Sequence, residues 1–494
     1  MIVSTFRNRP AVATLFSRWL CVVGTLAVAA CSPVGPDFKQ PSSLLENSWW
    51  EARSVASQPT EAVSADAFWA GFHDETLLSL LKKADQQSLT LLSSVELVTQ
   101  AREQVRIDQG NLLPSVSLNG SSTYNQPTTA SALRGQNRGA TTDQLLGQLS
   151  WEIDFWGGLR RSLESDRAVL ASAQFGLAAA RVSLEASVAS AYINVRMMER
   201  RVEVSQANLK QQVEDARIAE ARWRGGASSE LDFQQAEALY EQTNAQLPVL
   251  RQSLAQYQHS LSVLLGEAPD YVARNLPTNA GLPAVPGVLP IGAPHDLLRR
   301  RPDVLQAELN AAAQSARIGV AEAQLYPTFS LTGAFGYAAS ATSIGNLFRW
   351  NNRTIEYGAA FTLPIFDRGK LYSQVRVQDS LFRQAVLTYQ NQVLTAQQDV
   401  EDNLAAIKGQ SGQVDALGRA DTAAARAASL AYKQYSAGQV DYTTVSSAEQ
   451  THATTSDSLV QGQAGVLQAY VGVFRAIGGG WEPAPPSEKE GVFP

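Results

Sequence analysis

The residue types that most often do chemistry are few in this 494-residue chain, and they do not gather. Its four histidines, His73, His259, His295 and His452, lie in separate segments. No His-Glu-x-x-His, Walker A, Gly-x-Ser-x-Gly or paired-cysteine pattern joins them to a metal, a phosphate or a nucleophile. Arg299, Arg300 and Arg301 can be read as an anion patch, but beside Pro302 and Asp303 they fit a solvated helix start with local ion pairs better. The residues therefore point away from an enzyme, a cofactor and a metal centre. Charge points away from nucleic acid as well: the net charge is −6, and −9 once the first 30 residues are set aside, whose only charges are Arg7, Arg9 and Arg18.

One residue does carry a covalent chemistry. Residues 1–30 read as a bacterial export signal, basic at the start and apolar from Trp19 to Ala30, a run too short to span a bilayer as a helix. Val28-Ala-Ala-Cys31 resembles a lipobox, in which small residues fit the lipoprotein signal peptidase and the thiol receives diacylglycerol. Cleavage before Cys31 removes Cys21 and leaves a chain with one cysteine and no disulfide in an oxidising compartment. Ser32 resembles lipoproteins sorted to the outer membrane, since retained ones usually carry Asp there.

The elements behind these residues are repeated. Gly158 to Arg224 and Gly369 to Ala437 are proline-free, rich in Ala, Gln and Leu, and each leaves a strand-like segment. Read as helices they reach ~100 Å at a rise of ~1.5 Å per residue, far beyond an ordinary globular domain. With the 45% hydrophobic fraction spread through Ala-rich segments, an elongated molecule is expected. Asn111-Leu-Leu-Pro-Ser-Val-Ser-Leu-Asn-Gly120 aligns with Gln324-Leu-Tyr-Pro-Thr-Phe-Ser-Leu-Thr-Gly333, Phe155-Trp-Gly-Gly158 with Phe366-Asp-Arg-Gly369, and Arg224-Gly-Gly226 with Ala236-Glu237 aligns with Ala437-Gly438 and Ala448-Glu449. Offsets of 213, 211 and 212 residues in the same order mark a duplication. The organisation expected is a signal peptide over 1–30, a lipidated linker over 31–74, a first repeat over 75–265, a Pro/Gly-rich linker over 266–294, a second repeat over 295–481 and a tail over 482–494. Each repeat opens on a helix, from about Glu75 to Gly110 with Leu77, Leu80, Leu81, Leu91, Leu92, Leu97 and Val105 as apolar positions, and from near His295.

Each repeat then switches to period two. Ser115 to Tyr124 and Leu145 to Phe155 are expected strands, separated by a polar loop over Asn125 to Gln144. In the second strand Leu145, Gly147, Leu149, Trp151, Ile153 and Phe155 share one face against Gln148, Ser150, Glu152 and Asp154. The second repeat alternates likewise at Phe329, Leu331, Phe335 and Tyr337, and at Ile355, Tyr357, Phe361, Leu363 and Ile365, with the last strand ending between Thr362 and Asp367. Strands of this length suit a tilted membrane crossing of ~9 to 11 residues. Four strands cannot close a barrel, and open edges in hydrocarbon leave backbone groups unsatisfied, so several chains must share one. Three copies and twelve strands is the simplest symmetric reading; two or four remain open.

With the lipobox, doubled strand pairs and long helices in place, the chain resembles the outer membrane factor family, the TolC-like and OprM-like channels, and within it the NodT-type lipoproteins. The resemblance is carried by Leu298-Arg-Arg-Arg-Pro-Asp-Val304, the strand starts after Pro114 and Pro327, Arg222-Trp-Arg-Gly-Gly-Ala-Ser-Ser-Glu-Leu-Asp232 and Ile477-Gly-Gly-Gly-Trp481. It implies an α+β membrane channel in which a homotrimer builds a twelve-stranded barrel in the outer membrane, continued by a hollow α-helical barrel across the periplasm. It also implies a periplasmic adaptor and an inner-membrane pump of the resistance-nodulation-division type, which together expel small molecules. A type I protein-secretion conduit is the alternative, since the tube is similar and cargo leaves no mark in it.

The long helices are expected to reverse at Gly225-Gly226 and Gly438, residues suited to a helix end. Because the exposed tips of this family meet the adaptor, the resemblance assigns Arg222, Gly225, Gly226, Ser229, Leu231, Gly438, Asp441 and Tyr442 to that contact. Counting from the turn glycines, Asp232 falls where TolC-like channels carry an acidic gate residue and Tyr435 where they carry its tyrosine partner. The family's arginine after the turn is Val440 here, and its aspartate ring falls on Thr444 and Ser447.

Overall fold

Long runs without proline or clustered glycine favour uninterrupted helix, and the computed structural model has two of 67 residues each, Gly158–Arg224 and Lys370–Ser436. It describes residues 33–41, 49–51, 57–58, 65–126, 140–278, 281–287, 289–290, 300–340 and 347–479. Cys31, His295, Arg299 and Trp481 lie outside them. The elements in chain order are α1 (Ala65–Ala70), α2 (Glu75–Gln87), α3 (Leu89–Asn111), β1 (Ser115–Asn125), β2 (Ala140–Ile153), α4 (Gly158–Arg224), α5 (Glu230–Leu264) and α6 (Tyr271–Asn275), then α7 (Pro302–Ala323), β3 (Thr328–Ser340), β4 (Arg353–Thr362), α8 (Lys370–Ser436) and α9 (Tyr442–Ala476).

The duplication is visible in the backbone. Six of the nine glycines with positive φ among the described residues form three pairs whose members stand 212 residues apart: Gly157 and Gly369, Gly226 and Gly438, Gly266 and Gly478. The register of the middle anchor is therefore 212 and not 211, with Gly157 as the true counterpart of Gly369. Each long helix is followed by a 35-residue helix, α5 or α9. The compact units of the chain are not the repeats, for each draws on both: one comprises the described residues up to Pro41 with Val98–Ser172 and Ala307–Thr388, the other the remainder.

The first unit holds a four-stranded antiparallel sheet in the order β1-β2-β3-β4. Its register sets Val116 opposite Leu149, Gly147 opposite Phe335 and Phe335 opposite Ile355, so that the apolar rows of all four strands share a face. The other face carries Asn119, which donates to Gln148 at 2.8 Å. On the apolar face Val116, Leu118, Phe335, Ile355, Tyr357 and Phe361 are all exposed in the single chain. Strand β2 begins at Ala140, five residues before the expected Leu145, because Thr142 and Asp143 pair with Ser340 and Ala339 even though their polarity reads as loop. Strand β4 stops at Thr362, leaving Leu363 and Ile365 outside it. The segment from Pro33 lies against close-approach glycines. A Cβ on Gly157 would come within 2.6 Å of Pro33, and one on Gly319 within 2.6 Å of the Val34 carbonyl.

The second unit is built on a core where Trp69, Phe72, Leu77, Tyr192, Ile193, Leu261, Val400, Leu404 and Phe474 are buried together. The indole of Trp69 lies 4.3 Å from the Phe474 ring and donates to Glu185 Oε2 at 2.9 Å. The single helix expected over Glu75 to Gly110 is broken: Ser88 takes an extended ψ of 121 and caps α2, while its carbonyl accepts from Leu92 to start α3. Gly266 explains the break, for its α-carbon packs so close to the Gln87 carbonyl that a Cβ would stand 2.4 Å away. Of the apolar positions expected there, Leu77, Leu80, Leu81 and Val105 are buried, whereas Leu92 and Leu97 are exposed in the single chain.

Candidate functional site

Where α4 turns into α5 and α8 into α9, the backbone solves the same problem twice. The last carbonyls of a helix have no intrahelical donor, and a residue at positive φ lets the chain fold back to supply them. Gly226 and Gly438 both sit at φ 72. Ala227 donates to the Arg222 carbonyl at 2.8 Å, and Gln439 to the Gln434 carbonyl at 2.9 Å. The incoming helix is capped by Ser229, whose hydroxyl accepts from the Asp232 amide at 3.3 Å.

Between these turns lies a small core of its own, formed by Ala219, Ala236, Ala431, Tyr435, Tyr442 and Val445 with Phe233 and Tyr432 packed against it. Tyr435 and Tyr442 meet edge to face with centroids 5.4 Å apart, and Trp223 stacks on Phe233 at 5.5 Å. Arg222 stretches across the junction, donating from Nη1 to the carbonyls of Tyr435 and Ser436, each at 3.0 Å, with its guanidinium 4.8 Å from the centre of the Tyr435 ring. Thr443 adds a bond to Gln235 at 3.0 Å.

This geometry divides the residues that sequence assigned to adaptor contact. Gly225, Gly226, Ser229, Leu231, Gly438 and Asp441 are exposed. Tyr442 is fully enclosed, and Arg222 is committed to the neighbouring helix end; these two support the turns instead of presenting side chains outward. Among the gate residues, Thr444 and Ser447 are exposed and line a shallow groove with Thr443, Thr451, Ala424 and Ala427. Asp232 and Tyr435 are buried in the junction, but within one chain they do not bond, since the Tyr435 phenol oxygen is enclosed with no hydrogen-bond partner. Burial raises the pKa of that phenol and the charge of Asp232 adds to the effect, while the nearby Ser228 hydroxyl and Arg222 oppose it.

Of the arginine triplet, Arg301 keeps the expected local ion pair with Asp303 but is corrected in its surroundings. Arg301 is 5% exposed and not solvated. It donates to Asp303 at 2.6 Å, to Asp399 on α8 at 3.0 Å and to the carbonyl of Ala476 at the end of α9 at 3.1 Å. Burial alone would raise the Asp303 carboxyl, but Arg301, Gln392 and the Val304 amide outweigh it and hold it below the usual range. Sequence reading missed a further pair, the buried Asp215 on α4 and the half-buried Glu449 on α9. A signal was present, because Gln212, Asp215, Ala216 and Ala219 fall on one helical face at spacings of three and four. Among the described residues no group of three or more His, Cys, Asp or Glu side chains could hold a metal ion, and no helix is long and apolar enough to cross a membrane.

A sheet with one apolar face, joined to paired 67-residue helices that reverse at glycine turns, is the subunit of an outer-membrane channel. A family model described as "Outer membrane efflux protein" matches residues 80–267 and again 293–479. Nodulation protein T of Rhizobium leguminosarum bv. trifolii is 28% identical over 471 residues, 95% of this chain and 98% of that one. The pyoverdine export outer membrane protein OpmQ of Pseudomonas aeruginosa is 29% identical over 485 residues, 94% of this chain and 98% of that one. Among solved structures the outer-membrane channel OprN superposes with a TM-score of 0.82 at 27% identity, covering 91% of this chain and all of that one. The chain belongs to the outer membrane efflux protein family.

Proposed function

We propose that three copies of this chain close into one twelve-stranded barrel with a helical tube beneath it, forming the outer-membrane exit of a tripartite efflux system. A periplasmic adaptor docks on the exposed turn residues, and an inner-membrane pump of the resistance-nodulation-division type delivers small molecules through the adaptor. The observation that carries this reading is the four-stranded sheet, whose outer strands β1 and β4 each have one unpaired edge while their apolar side chains stand exposed. Edges of that kind are untenable in hydrocarbon and are satisfied when β1 of one copy pairs with β4 of the next. Cys31 carries the lipid anchor, which adds to the barrel but does not replace it.

Two measurements test the proposal. Native mass measurement of the detergent-extracted protein should give three chains. Cells lacking the gene should retain a fluorescent efflux substrate, and the wild-type gene should restore its export. A monodisperse monomer, or substrate retention that ignores the gene, would contradict it.

A further inference from the structure

The tip holds one arrangement that a channel does not require. Asp215 is 1% exposed and faces Glu449 across the α4–α9 seam. Its Oδ1 accepts from Gln211 Nε2 at 3.0 Å, yet its Oδ2 is buried with no donor, and so is Oε2 of Glu449. Two ionised carboxylates cannot satisfy one another, because each only accepts. A single proton changes this by making one carboxyl a donor and the other its charged acceptor.

The surroundings favour keeping that proton. On α4, Glu214 adds negative charge, and its guanidinium neighbour Arg217 is engaged with Glu214 itself. On α8 and α9 the phenols of Tyr432 and Tyr442 feel the charge of the pair, and Tyr435 adjoins Tyr442. On α5, Ala236 and Phe233 pack into the same junction, and the charge of Asp232 is felt at Tyr435. Among the described residues no lysine or arginine is an ionic partner of either carboxyl. The pair is also not inherited from the duplication, for at the repeat offset Asp215 corresponds to Ala427 and Glu449 to the exposed Glu237.

We propose that Asp215 and Glu449 share one proton, and that this bond is a pH-sensitive clasp holding α4 of the first repeat against α9 of the second. Burial first, and then contact with Asp215, push the Glu449 carboxyl up to about 9. A folded value above the ordinary 4.5 means that the clasp contributes fully below that ordinary value, declines as pH rises, and is lost on passing about 9. Above that pH the buried Asp215 and the half-buried Glu449 carry like charges that repel, and the seam loosens. The clasp belongs to the folded tip and does not depend on cargo or partner.

Infrared difference spectra of the purified full chain in detergent, taken between about pH 6 and about pH 10, test it directly. The wild type should lose a protonated-carboxyl stretch across that range, and Glu449→Gln and Asp215→Asn should each lack the band. Amide exchange, corrected for its intrinsic pH dependence, should speed up at residues 213–219 and 445–452 in the wild type at the higher pH. In Glu449→Gln it should stay slow, because an amide donates to Asp215 at either pH. Absence of the band from the wild type, its survival in both variants, or seam exchange independent of pH in the wild type would overturn the proposal.

Discussion

The guanidinium of Arg222, near the end of the first long helix, donates at 3.0 Å to the main-chain carbonyl of Tyr435, near the end of the second. One side chain thus satisfies a helix end that is not its own, and the same group lies against the Tyr435 ring. A bond from a charged donor contributes ~1.5 to 3 kcal/mol, and partial exposure puts this one at the lower end. Arg222→Ala is expected to leave the trimer intact but to open the junction, seen as faster proteolysis near residues 222–230 and 434–442. Arg222→Lys keeps the charge and loses the two-carbonyl reach and the flat stacking, so it should behave nearly as badly.

Gly226 and Gly438 share φ 72, and nothing lies within 4 Å of the Cβ position at Gly226. Substitution there is therefore a matter of backbone strain and not of space, costing ~1 to 2 kcal/mol for a side chain forced into the left-handed region. Gly226→Val and Gly438→Val should abolish efflux while the detergent-extracted trimer stays at the wild-type level. Full export with both substitutions would show that the turns do not dock a partner.

Much of this fold was legible in the chain, because it rests on patterns that residues carry locally. Glycine at 157, 226, 266 and their counterparts marks backbone that only glycine adopts easily, and the alternation from Leu145 to Ile153 fixed one face of the sheet. What escaped was set by distant neighbours. The break at Ser88 depends on Gly266 in the turn after α5, and the start of β2 at Ala140 depends on the partner strand β3. The turns were legible as a place and the roles around them less so: Tyr442 and Arg222 stand beside the turn in sequence, but only packing reveals that Tyr442 is enclosed and that Arg222 is committed to the neighbouring helix end. Arg301 misled for the same reason, since a charge run beside Pro302 gives no hint of carbonyls supplied by Ala476.

Cys31 precedes a segment that is fixed independently of any lipid. Arg161 donates to the Val34 carbonyl at 3.0 Å, to the Gly35 carbonyl at 3.1 Å and to Asp37 at 2.8 Å. Cys31→Ala should accordingly lose metabolic palmitate label yet yield a folded trimer, while Arg161→Ala should keep the label. Undiminished label on Cys31→Ala would remove Cys31 as the anchor.

Arg301 bridges Asp303 and Asp399, whose side chains are 31% and 35% exposed. Removing one partner of a fully buried pair costs ~3 to 5 kcal/mol, so the lower end is expected for Arg301→Ala. The Asp303 carboxyl titrates below its ordinary 3.8, and a depressed value stabilises the fold above that pH and ceases to do so as pH falls through the lower one. Thermal melting of the wild type should drop below about pH 4 by an amount that Arg301→Ala has already lost at neutral pH. Equal acid slopes in the two proteins would show that Asp303 is not held by Arg301.

The last expectation concerns the gate pair. Asp232 and Tyr435 do not bond within a chain, and the Tyr435 hydroxyl is enclosed without a hydrogen-bond partner, so a latch to Asp232 requires the Tyr435 ring to turn out of the junction toward the next copy. Removing an unsatisfied buried hydroxyl is close to neutral or stabilising for the chain that carries it, whereas removing one that donates to a carboxylate costs ~1.5 to 3 kcal/mol. Tyr435→Phe therefore separates the two states: the melting temperature should not fall, while single-channel conductance in a planar bilayer rises and cells admit large antibiotics they normally exclude. Asp232→Asn should raise conductance in the same way, because it removes the charge that strengthens the acceptor. Conductance unchanged in both variants would leave Asp232 as a helix-start carboxylate beside Ser229 and Tyr435 as a packing ring beneath Arg222.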